Sequence, residues 1–322
     1  MALRGGIDLG GTKIQAVVLD DGGEVAGQAR HTTPTGGGPP GVTAAMADAL
    51  RDAASAAGVE TAELEGVGVG SPGRVDDAAG TVAGAKNLPG WDGSFDLRGA
   101  LEQALGTRVG LGNDVQVATD AEFELGAGRP YRSLLGVFWG TGVGGGIVLD
   151  GRPWIGRDAA GEIGHVVIRQ GGARCPCGRR GCLEAYAGRI AMEARARRRS
   201  DEGEKTVLFK IMEERGRPRL TSGVWSRALD RGDQVAHEIV DRAVTALGAG
   251  VASAMNLLDV EAVIIGGGLG VRLGQPYVDR IAEAMMPHLF ADSNPPAIEL
   301  AALGDLGGAI GASLLVRPRA TA

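Results

Sequence analysis

The sequence is poor in features that define several classes of protein. Only 4% of its 322 residues are aromatic, and only three are cysteine. No uninterrupted apolar run approaches the ~20 residues that span a bilayer. The sequence also lacks an excess of positive charge, because its 39 acidic residues outnumber its 33 basic ones and leave a net charge of −6. General nucleic-acid binders need a cationic face. We therefore expect neither a membrane nor a nucleic-acid partner.

The few cysteines also indicate the redox state of the compartment in which the protein is found. An odd number of thiols, all within eight residues, does not form a disulfide framework and indicates a reducing compartment. A strand-like apolar segment is reached by about residue 6, with no signal-peptide pattern ahead of it. We expect a cytoplasmic protein.

Glycine is the residue that the sequence has in excess. The 56 glycines are about 17% of the chain, against a typical ~7%. They cluster after apolar runs, where the backbone must turn tightly or approach a ligand closely. With so few aromatic residues, we expect Ala, Val, Leu and Ile to build most of the core.

Two glycine clusters share one layout. Residues 5–20 read as a strand, a glycine turn with a threonine, and a strand that ends in Leu-Asp, and residues 133–150 repeat it. This weak duplication predicts two related α/β domains. We place residues 1–113 in a small α/β domain that a C-terminal helix over 304–322 completes. Residues 114–303 form a large α/β domain.

The glycine turns themselves predict phosphate binding. The run Gly140-x-Gly142-x-x-Gly145 matches a dinucleotide fingerprint in form, but that motif requires a helix after the glycines, and here a β-branched apolar strand follows. Strand–turn–strand nests instead hold anions with exposed backbone N–H groups. A hairpin without a ligand is the alternative, and the occurrence of two matching turns favours phosphate.

The cysteines and one histidine make a complete Cys₃His set. Its members are His165, Cys175, Cys177 and Cys182. This donor set suits a closed, tetrahedral zinc site in which protein fills all four positions, so the metal is structural. The alternatives are a redox pair, which normally needs Cys-x-x-Cys, or incidental thiols. A zinc-ribbon module is disfavoured because a single set lies in a large acidic protein.

Asn113 and Asp114 follow a predicted strand and precede a predicted helix. Open α/β sheets place their working residues at this point. Asn or Asp is equally typical of a helix N-cap. A helix is expected from Leu183 into Arg199, and its run Arg195-x-Arg197-Arg198-Arg199 predicts a solvated helix face within a charged surface segment, with a polyanion contact as the alternative. Gly266-Gly267-Gly268 is expected to form a third glycine turn.

In their order along the chain, these motifs resemble those of the ROK sugar kinases, over about residues 5–315. The motifs are Asp8-Leu9-Gly10-Gly11-Thr12-Lys13, Asn113-Asp114, Gly140-Thr141-Gly142-x-Gly144, Gly161-Glu162-x-Gly164-His165, Cys175-x-Cys177-Gly178-x-x-Gly181-Cys182-x-Glu184 and Gly266-Gly267-Gly268. The His-Cys₃ segment with its flanking glutamates is the specific part. The segment Asn87-Leu88-Pro89-Gly90-Trp91 is similar to the glucokinase branch.

The resemblance implies an α/β, two-domain, actin-like (ribonuclease H-like) ATPase fold, with a sugar in an interdomain cleft and ATP with Mg²⁺ beside it. It implies phosphorylation of the 6-hydroxyl of glucose, with Asp114 as general base. The implied sugar contacts are Ser71, Pro72, Gly73, Asn87, Asn113, Asp114, Glu162, His165 and Glu184. The implied nucleotide contacts are Asp8, Gly10, Gly11, Thr12, Lys13, Thr141, Gly142, Gly144, Gly267 and Gly268.

Several alternatives stay open at this point. The same residues would serve a kinase for N-acetylglucosamine, N-acetylmannosamine or fructose, and the donor could be ADP or polyphosphate. A sugar-sensing repressor of this family carries a helix-turn-helix domain ahead of the first phosphate strand, which the four residues before Gly5 do not provide. Relatives lead us to expect a homodimer or homotetramer.

Overall fold

The computed structural model of the chain describes residues 2–85, 88 and 90–317. The strands are β1 (Arg4–Leu9), β2 (Lys13–Leu19), β3 (Val25–Thr32), β4 (Val67–Ser71), β5 (Arg74–Asp76), β6 (Thr81–Ala83), β7 (Ser94–Asp96), β8 (Val109–Asn113), β9 (Leu134–Trp139), β10 (Val143–Leu149), β11 (Arg152–Pro153), β12 (Ala262–Gly266) and β13 (Ala297–Leu300). The α-helices are α1 (Gly38–Ala56), α2 (Leu97–Leu105), α3 (Asp114–Leu125), α4 (Glu184–Ala187), α5 (Arg189–Asp201), α6 (Leu208–Glu214), α7 (Ser222–Asp230), α8 (Gln234–Leu258), α9 (Gly267–Leu273), α10 (Gln275–Met285) and α11 (Gly307–Leu314). Single 3₁₀ turns lie at Thr61–Glu63, Ile163–His165, Met286–His288 and Gly304–Leu306.

These elements form two compact units. The first contains the described residues of 1–129, 155–159 and 303–322, and the second contains 130–154 and 160–302. The domain limits inferred from the sequence, after residues 113 and 303, stay a prediction.

The first unit is built on a mixed five-stranded sheet in the order β3-β2-β1-β4-β8. Strand β1 is antiparallel to β2 and parallel to β4, and β4 is parallel to β8. Alternate residues of β2 face opposite sides of the sheet. Ala16 and Val18 belong to the core that contains the buried residues of α1, while Val17 and Leu19 pack in a second cluster with Ala309 of α11. Strands β5, β6 and β7 form a separate small antiparallel sheet.

The second unit repeats this arrangement. Its sheet has the order β11-β10-β9-β12-β13, with β9 antiparallel to β10 and parallel to β12, which is parallel to β13. The duplication predicted from the sequence is therefore confirmed. The buried face of α8 contributes to its core, together with the fully buried rings of Trp139 and Trp225.

Local structure differs from the sequence-based expectation at three places. The helix expected from Leu183 to Arg199 is interrupted at Gly188, which adopts an extended conformation and divides it into α4 and α5. The third glycine run begins helix α9 instead of forming a turn. The helix expected over 304–322 is a 3₁₀ turn followed by α11, and residues 318–322 lie outside the described residues.

Among the described residues, no helix has both the length and the apolar character needed to cross a membrane.

Candidate active site and metal centre

One edge of the first sheet gathers the polar residues of the first unit. Strands β1, β4 and β8 are parallel, so their carboxyl ends meet there. Asp8 is in register with Gly70, and Ser71 is in register with Asn113. A Cβ atom at Gly70 would lie 3.4 Å from the Cα atom of Asp114, so the start of α3 lies against this edge.

The sequence left open whether Asn113 and Asp114 cap a helix or serve the site, and in the structure the cap is Asn113. The Oδ1 atom of Asn113 accepts the backbone N–H groups of Val115 (3.1 Å) and Gln116 (3.2 Å), so Asn113 is the N-cap of α3. Its amide nitrogen is then the end that could donate to a sugar. Asp114 is the first residue of the helix, where the backbone dipoles favour a carboxylate.

The turn between β1 and β2 is closed by its own backbone. Gly10 N–H donates to the carbonyl of Lys13 at 2.9 Å, and the Thr33 hydroxyl donates to the carbonyl of Gly10 at 2.6 Å. The N–H groups of Gly11 and Thr12 donate to no acceptor within the described residues, and both residues are exposed. This geometry suits binding of a phosphate oxygen.

Asp8 lies half-buried behind this turn. Burial raises the pKa of its carboxyl group to about 6, although the positive charge of Lys13 opposes the shift. The start of α11 passes very close to it, because a Cβ atom at Gly308 would lie 2.8 Å from Asp8 Cγ. Lys13 itself contacts Gln15 and forms an ion pair with Asp305 (Nζ–Oδ1 3.0 Å). Asp305 is thus a neighbour of this turn that the motifs did not identify.

The segment after β4 is firmly held. Ser71 is fully buried, and its hydroxyl donates to the carbonyl of Pro72 at 3.1 Å. Gly73 has a φ of 89°, in the left-handed region. Asn87, which the resemblance assigns to the sugar, lies outside the described residues. Nearby Trp91 is buried and donates its indole N–H to the carbonyl of Val82 at 3.1 Å.

The turn between β9 and β10 matches the first turn in its backbone. Gly140 N–H donates to the carbonyl of Gly142 at 3.0 Å, while the N–H groups of Thr141 and Gly142 have no acceptor among the residues described. Gly144 is the second residue of β10. The first two residues of α9 also lie near this turn, since a Cβ atom at Gly140 would be 3.8 Å from Gly268 N.

Glu184 holds this second turn from behind. Its Oε2 atom accepts the backbone N–H of Val143 at 3.0 Å. A Cβ atom at Gly142 would lie 2.1 Å from that oxygen, so a larger residue there would displace the Glu184 carboxylate from Val143. The sequence predicts Glu184 as a sugar ligand, and the structure shows that its carboxylate also supports the turn.

Arg189 is a residue of the second turn that the sequence reasoning missed. It begins α5, and its Nη2 atom donates to the Thr141 hydroxyl at 2.7 Å. The backbone N–H groups of Arg189 and Ile190 donate to the carbonyls of Gly140 and Thr141, both at 3.2 Å. Burial lowers the pKa of the guanidinium. The available signal was the glycine at 188 that interrupts the helix and directs α5 toward the turn.

The predicted metal ligands are brought together. One donor atom from each of the four residues lies within 4.8 Å of the others. His165 Nδ1 is 3.8 Å from Cys175 Sγ, and the sulfur atoms of Cys177 and Cys182 are 3.7 Å apart. Tetrahedral zinc with Zn–S bonds of about 2.3 Å places its sulfur ligands about 3.8 Å apart. The residues therefore fit zinc.

The metal cluster joins segments that are separate in sequence. Ile168 N–H donates to the carbonyl of Gly181 at 3.0 Å, and Leu183 N–H donates to that of Val166 at 2.9 Å. The other imidazole nitrogen of His165, Nε2, faces away from the thiols and lies 3.8 Å from Glu162 Oε2.

Glu184 connects this cluster with the second turn. Its Oε1 atom accepts from the Cys175 thiol at 3.9 Å, while its other oxygen bonds Val143. Burial raises the pKa of the Cys175 thiol, and the backbone N–H of Arg179 lowers that of Cys177.

Comparisons with known proteins identify the family of the chain. The model of the ROK family matches residues 4–319. The glucokinase of Thermotoga maritima is 31% identical over 319 residues, which cover 98% of this chain and 97% of the relative. The glucokinase of Halalkalibacterium halodurans is 33% identical over 317 residues, covering 97% of this chain and 94% of that protein.

A solved structure shares the fold. The ROK family glucokinase from Streptomyces griseus, in complex with glucose and AMPPNP, superposes with a TM-score of 0.84 at 31% identity, covering 98% of this chain and 99% of that one. The α/β, actin-like fold predicted from the motifs is confirmed. This chain belongs to the ROK family.

Proposed function

We propose that this chain is an ATP-dependent glucokinase, which transfers the γ-phosphoryl group of ATP to the 6-hydroxyl of glucose. The observation that carries the proposal is the position of Asp114, at the carboxyl edge of three parallel strands and in the first turn of α3. Phosphoryl transfer requires positioning, neutralisation of charge and one carboxylate beside the attacking hydroxyl.

Asp114 is the general base in this proposal. Its carboxylate accepts the proton of the 6-hydroxyl as the hydroxyl oxygen bonds to the γ-phosphorus. The bond between that phosphorus and the bridging oxygen of ADP breaks, and ADP leaves with the electron pair. A positioned base of this kind contributes roughly 10²- to 10⁴-fold to the rate.

The proposed sugar contacts use groups that the fold leaves available. Asn113 donates from its amide nitrogen, because its oxygen caps α3. His165 donates from Nε2, because Nδ1 faces the cysteines. Glu184 accepts from a hydroxyl with its remaining lone pairs, since a carboxylate has about four acceptor positions. Glu162, Asn87 and the segment 71–73 complete the set.

The two glycine turns are proposed to bind the phosphates of ATP. The donors are the N–H groups of residues 11 and 12 and of residues 141 and 142, which have no acceptor in the described parts of the chain. Asp8 is the proposed Mg²⁺ ligand, because Mg²⁺ prefers carboxylate oxygens and retains several waters. The remaining proposed contacts are Gly10, Lys13, Gly144, Gly267 and Gly268.

Zinc would be held by His165, Cys175, Cys177 and Cys182 and would supply structure alone. With four protein ligands it has no open position for substrate. In this proposal it fixes the segments that carry Glu162, His165 and Glu184.

A panel of phosphorylation assays tests the proposal. The purified chain is incubated with glucose, N-acetylglucosamine, N-acetylmannosamine or fructose, each with ATP, ADP or polyphosphate, and sugar phosphate is followed by ³¹P NMR. We expect the pair glucose and ATP to give a kcat/KM at least about tenfold above any other pair. A higher value for another sugar would correct the substrate. No phosphorylation of any sugar would overturn the proposal.

A further inference from the structure

A second concave site lies in the second unit, formed by α5, α8 and the segment that follows the 3₁₀ turn at Ile163–His165. The cavity has a volume of about 420 Å³. Its charged and aromatic lining consists of Arg169, Arg180, Arg195, Arg198, Arg242 and Tyr186. No carboxylate is among its lining residues. Five arginines therefore line one cavity in a chain whose net charge is −6.

Helix α5 separates two kinds of arginine. Arg197 pairs with Glu193 (2.7 Å), and Arg199 pairs with Glu204 and with Glu238. The arginines that line the cavity form no ion pair with a carboxylate among the described residues. They are Arg169, Arg180, Arg195, Arg198 and Arg242. Helix α5 thus pairs Arg197 and Arg199 with carboxylates, whereas Arg195 and Arg198 on the cavity side form no direct ion pair among the described residues.

The cavity wall is ordered before any ligand binds. The guanidinium of Arg242 stacks 4.7 Å above the ring of Tyr186. The Tyr186 hydroxyl accepts the backbone N–H of Ala173 at 2.9 Å, and Arg180 Nε donates to the carbonyl of Gly171 at 3.4 Å. Burial and the neighbouring arginines, Arg242 first among them, lower the pKa of Arg195. Like charges are held together here at a cost that an anion would remove.

We propose that this cavity binds a small molecule that carries two phosphoryl groups. The planar guanidinium fork matches phosphate oxygens in a bidentate manner. A phosphate monoester carries about −1.5 to −2 charges at neutral pH, so two such groups are needed to approach the charge of five arginines. The volume of about 420 Å³ is sufficient for such a ligand, and because the depression is open to solvent, its positive charge must supply most of the affinity.

The surroundings limit how the ligand lies. An adjoining cavity of about 350 Å³ shares Arg195 and Arg198 with the first. Its lining adds Glu202, Glu204 and Glu238, which would repel a phosphoryl group. The ligand is therefore directed toward Arg169 and Arg180.

This position gives the ligand a connection with the metal centre. Ala173 accepts the backbone N–H of Gly181 at 2.8 Å, and Cys182 follows directly. Tyr186 belongs to α4, which begins at Glu184. A bound anion would hold the segments that carry Cys175 and Cys182, so we expect it to raise the temperature of unfolding.

Calorimetric titration tests the proposal. The protein is first saturated with glucose and AMPPNP, which occupy the proposed active site, and is then titrated with pyrophosphate, fructose 1,6-bisphosphate or inorganic phosphate. We expect one site per chain, with a Kd for a two-phosphoryl probe at least about tenfold below that for phosphate. Raising NaCl from about 50 to about 500 mM should weaken binding. Tighter binding of pyrophosphate would indicate an inorganic ligand, and tighter binding of the bisphosphate would indicate a sugar ligand.

Two variants on one helix localise the binding. The double variant Arg195→Gln and Arg198→Gln should raise the Kd at least about tenfold, whereas Arg197→Gln, which lies outside the cavity, should change it less than about twofold. Equal unfolding temperatures without ligand show that both fold, and Arg169→Gln provides a second test from another segment.

Three outcomes would overturn the proposal. The first is that no probe binds at about 1 mM. The second is that the double variant binds the probes as tightly as the wild type. The third is that light scattering finds a different molecular mass for the double variant, which would assign these arginines to an interface between copies of the chain. The proposal does not depend on the kinase function. The calorimetric result is decided independently of the phosphorylation assay, so a chain that phosphorylates no sugar could still bind the two-phosphoryl probes.

Discussion

The two glycine turns occupy the same place in two sheets of the same strand order, yet different parts of the chain supply the charged side chains beside them. Next to the first turn, Asp8 pairs with Gln15. At the same register position in the second unit, Phe138 pairs with Gly144. The first turn has the carboxylate of Asp8 and the ammonium of Lys13 from its own strands, whereas the second has Glu184 and Arg189 from the helices α4 and α5. Duplication kept the backbone donors, while the charged side chains came from different segments.

The strand ends differ in the same way. In the first unit, β4 and β8 end in Ser71 and Asn113, so the sheet edge itself carries polar groups. In the second unit, β12 and β13 end in Gly266 and Leu300. Its polar groups come from the long segment between β11 and α5, which the Cys₃His cluster ties together. One unit builds its candidate site from strands, and the other builds it from loops that the Cys₃His cluster brings together.

The largest expected effect tests the sheet edge of the first unit. Asp114→Asn should lower kcat by about 10²-fold or more, because the amide accepts no proton, while the Kd for glucose changes less than about threefold. Steady-state kinetics and glucose titration measure the two quantities. A variant with near-normal turnover would remove Asp114 from the role of base.

The metal dependence of the second unit gives the next effect. Cys177→Ser should lose bound zinc, unfold at lower temperature and raise the KM for glucose by about tenfold, because the ligand segments loosen. Hydrogen exchange should increase in the segment 160–188 and stay unchanged in β1, β4 and β8. Elemental analysis should find about one zinc per wild-type chain. Less than about half would contradict the structural role of zinc, and uniform exchange would contradict the contrast between units.

The different origin of the charged residues at the two turns predicts a smaller effect. Arg189→Gln should raise the KM for ATP by about tenfold, because a cation is lost from the second turn, with little change in the KM for glucose. Arg197→Gln is the matched control on the same helix, since within the described residues its guanidinium bonds Glu193 and Met212 and no residue of the turn. If the two variants have the same KM for ATP, Arg189 has no role at the phosphates.

The smallest effect tests whether turnover depends on Asp114 itself or on any negative charge in α3. Burial raises the pKa of Asp120 from 3.8 to about 7, and Gln116 donates to its carboxylate at 2.7 Å. A raised folded-state pKa contributes stability that is full below pH 3.8 and is lost as the pH rises toward 7. Asp120→Asn keeps an acceptor for Gln116 and should stabilise the fold by about 1 kcal/mol at pH 8, with kcat unchanged.

Chemical denaturation at pH 5 and pH 8 measures this difference. Equal stabilisation at both values would show that Asp120 does not titrate in this range. A large loss of kcat would show that charge anywhere on α3 affects turnover.

Local spacing was sufficient to predict much of the site. The Cys₃His ligands and the residue pair at the start of α3 stand at short, fixed distances in the sequence, and the duplicated layout was visible from its glycines. The rest depends on contacts between distant segments. Asp305 meets Lys13 across 292 residues, and Arg189 reaches Thr141 across 48. Helical periodicity contains no information on such pairs.

Local rules also failed where tertiary contacts override them. The helix across Gly188 is broken because the N-terminus of α5 bonds the carbonyls of the second turn instead of continuing from α4. The support that Glu184 gives to Val143 was likewise invisible, because a carboxylate next to a metal ligand reads equally well as a substrate contact.

Glu184 also restricts how the protein can evolve. A side chain larger than hydrogen at Gly142 would displace its carboxylate, and loss of that carboxylate would leave Val143 N–H without its acceptor. Each of positions 142 and 184 therefore limits what the other can hold, and we expect changes at the two positions to occur together among relatives.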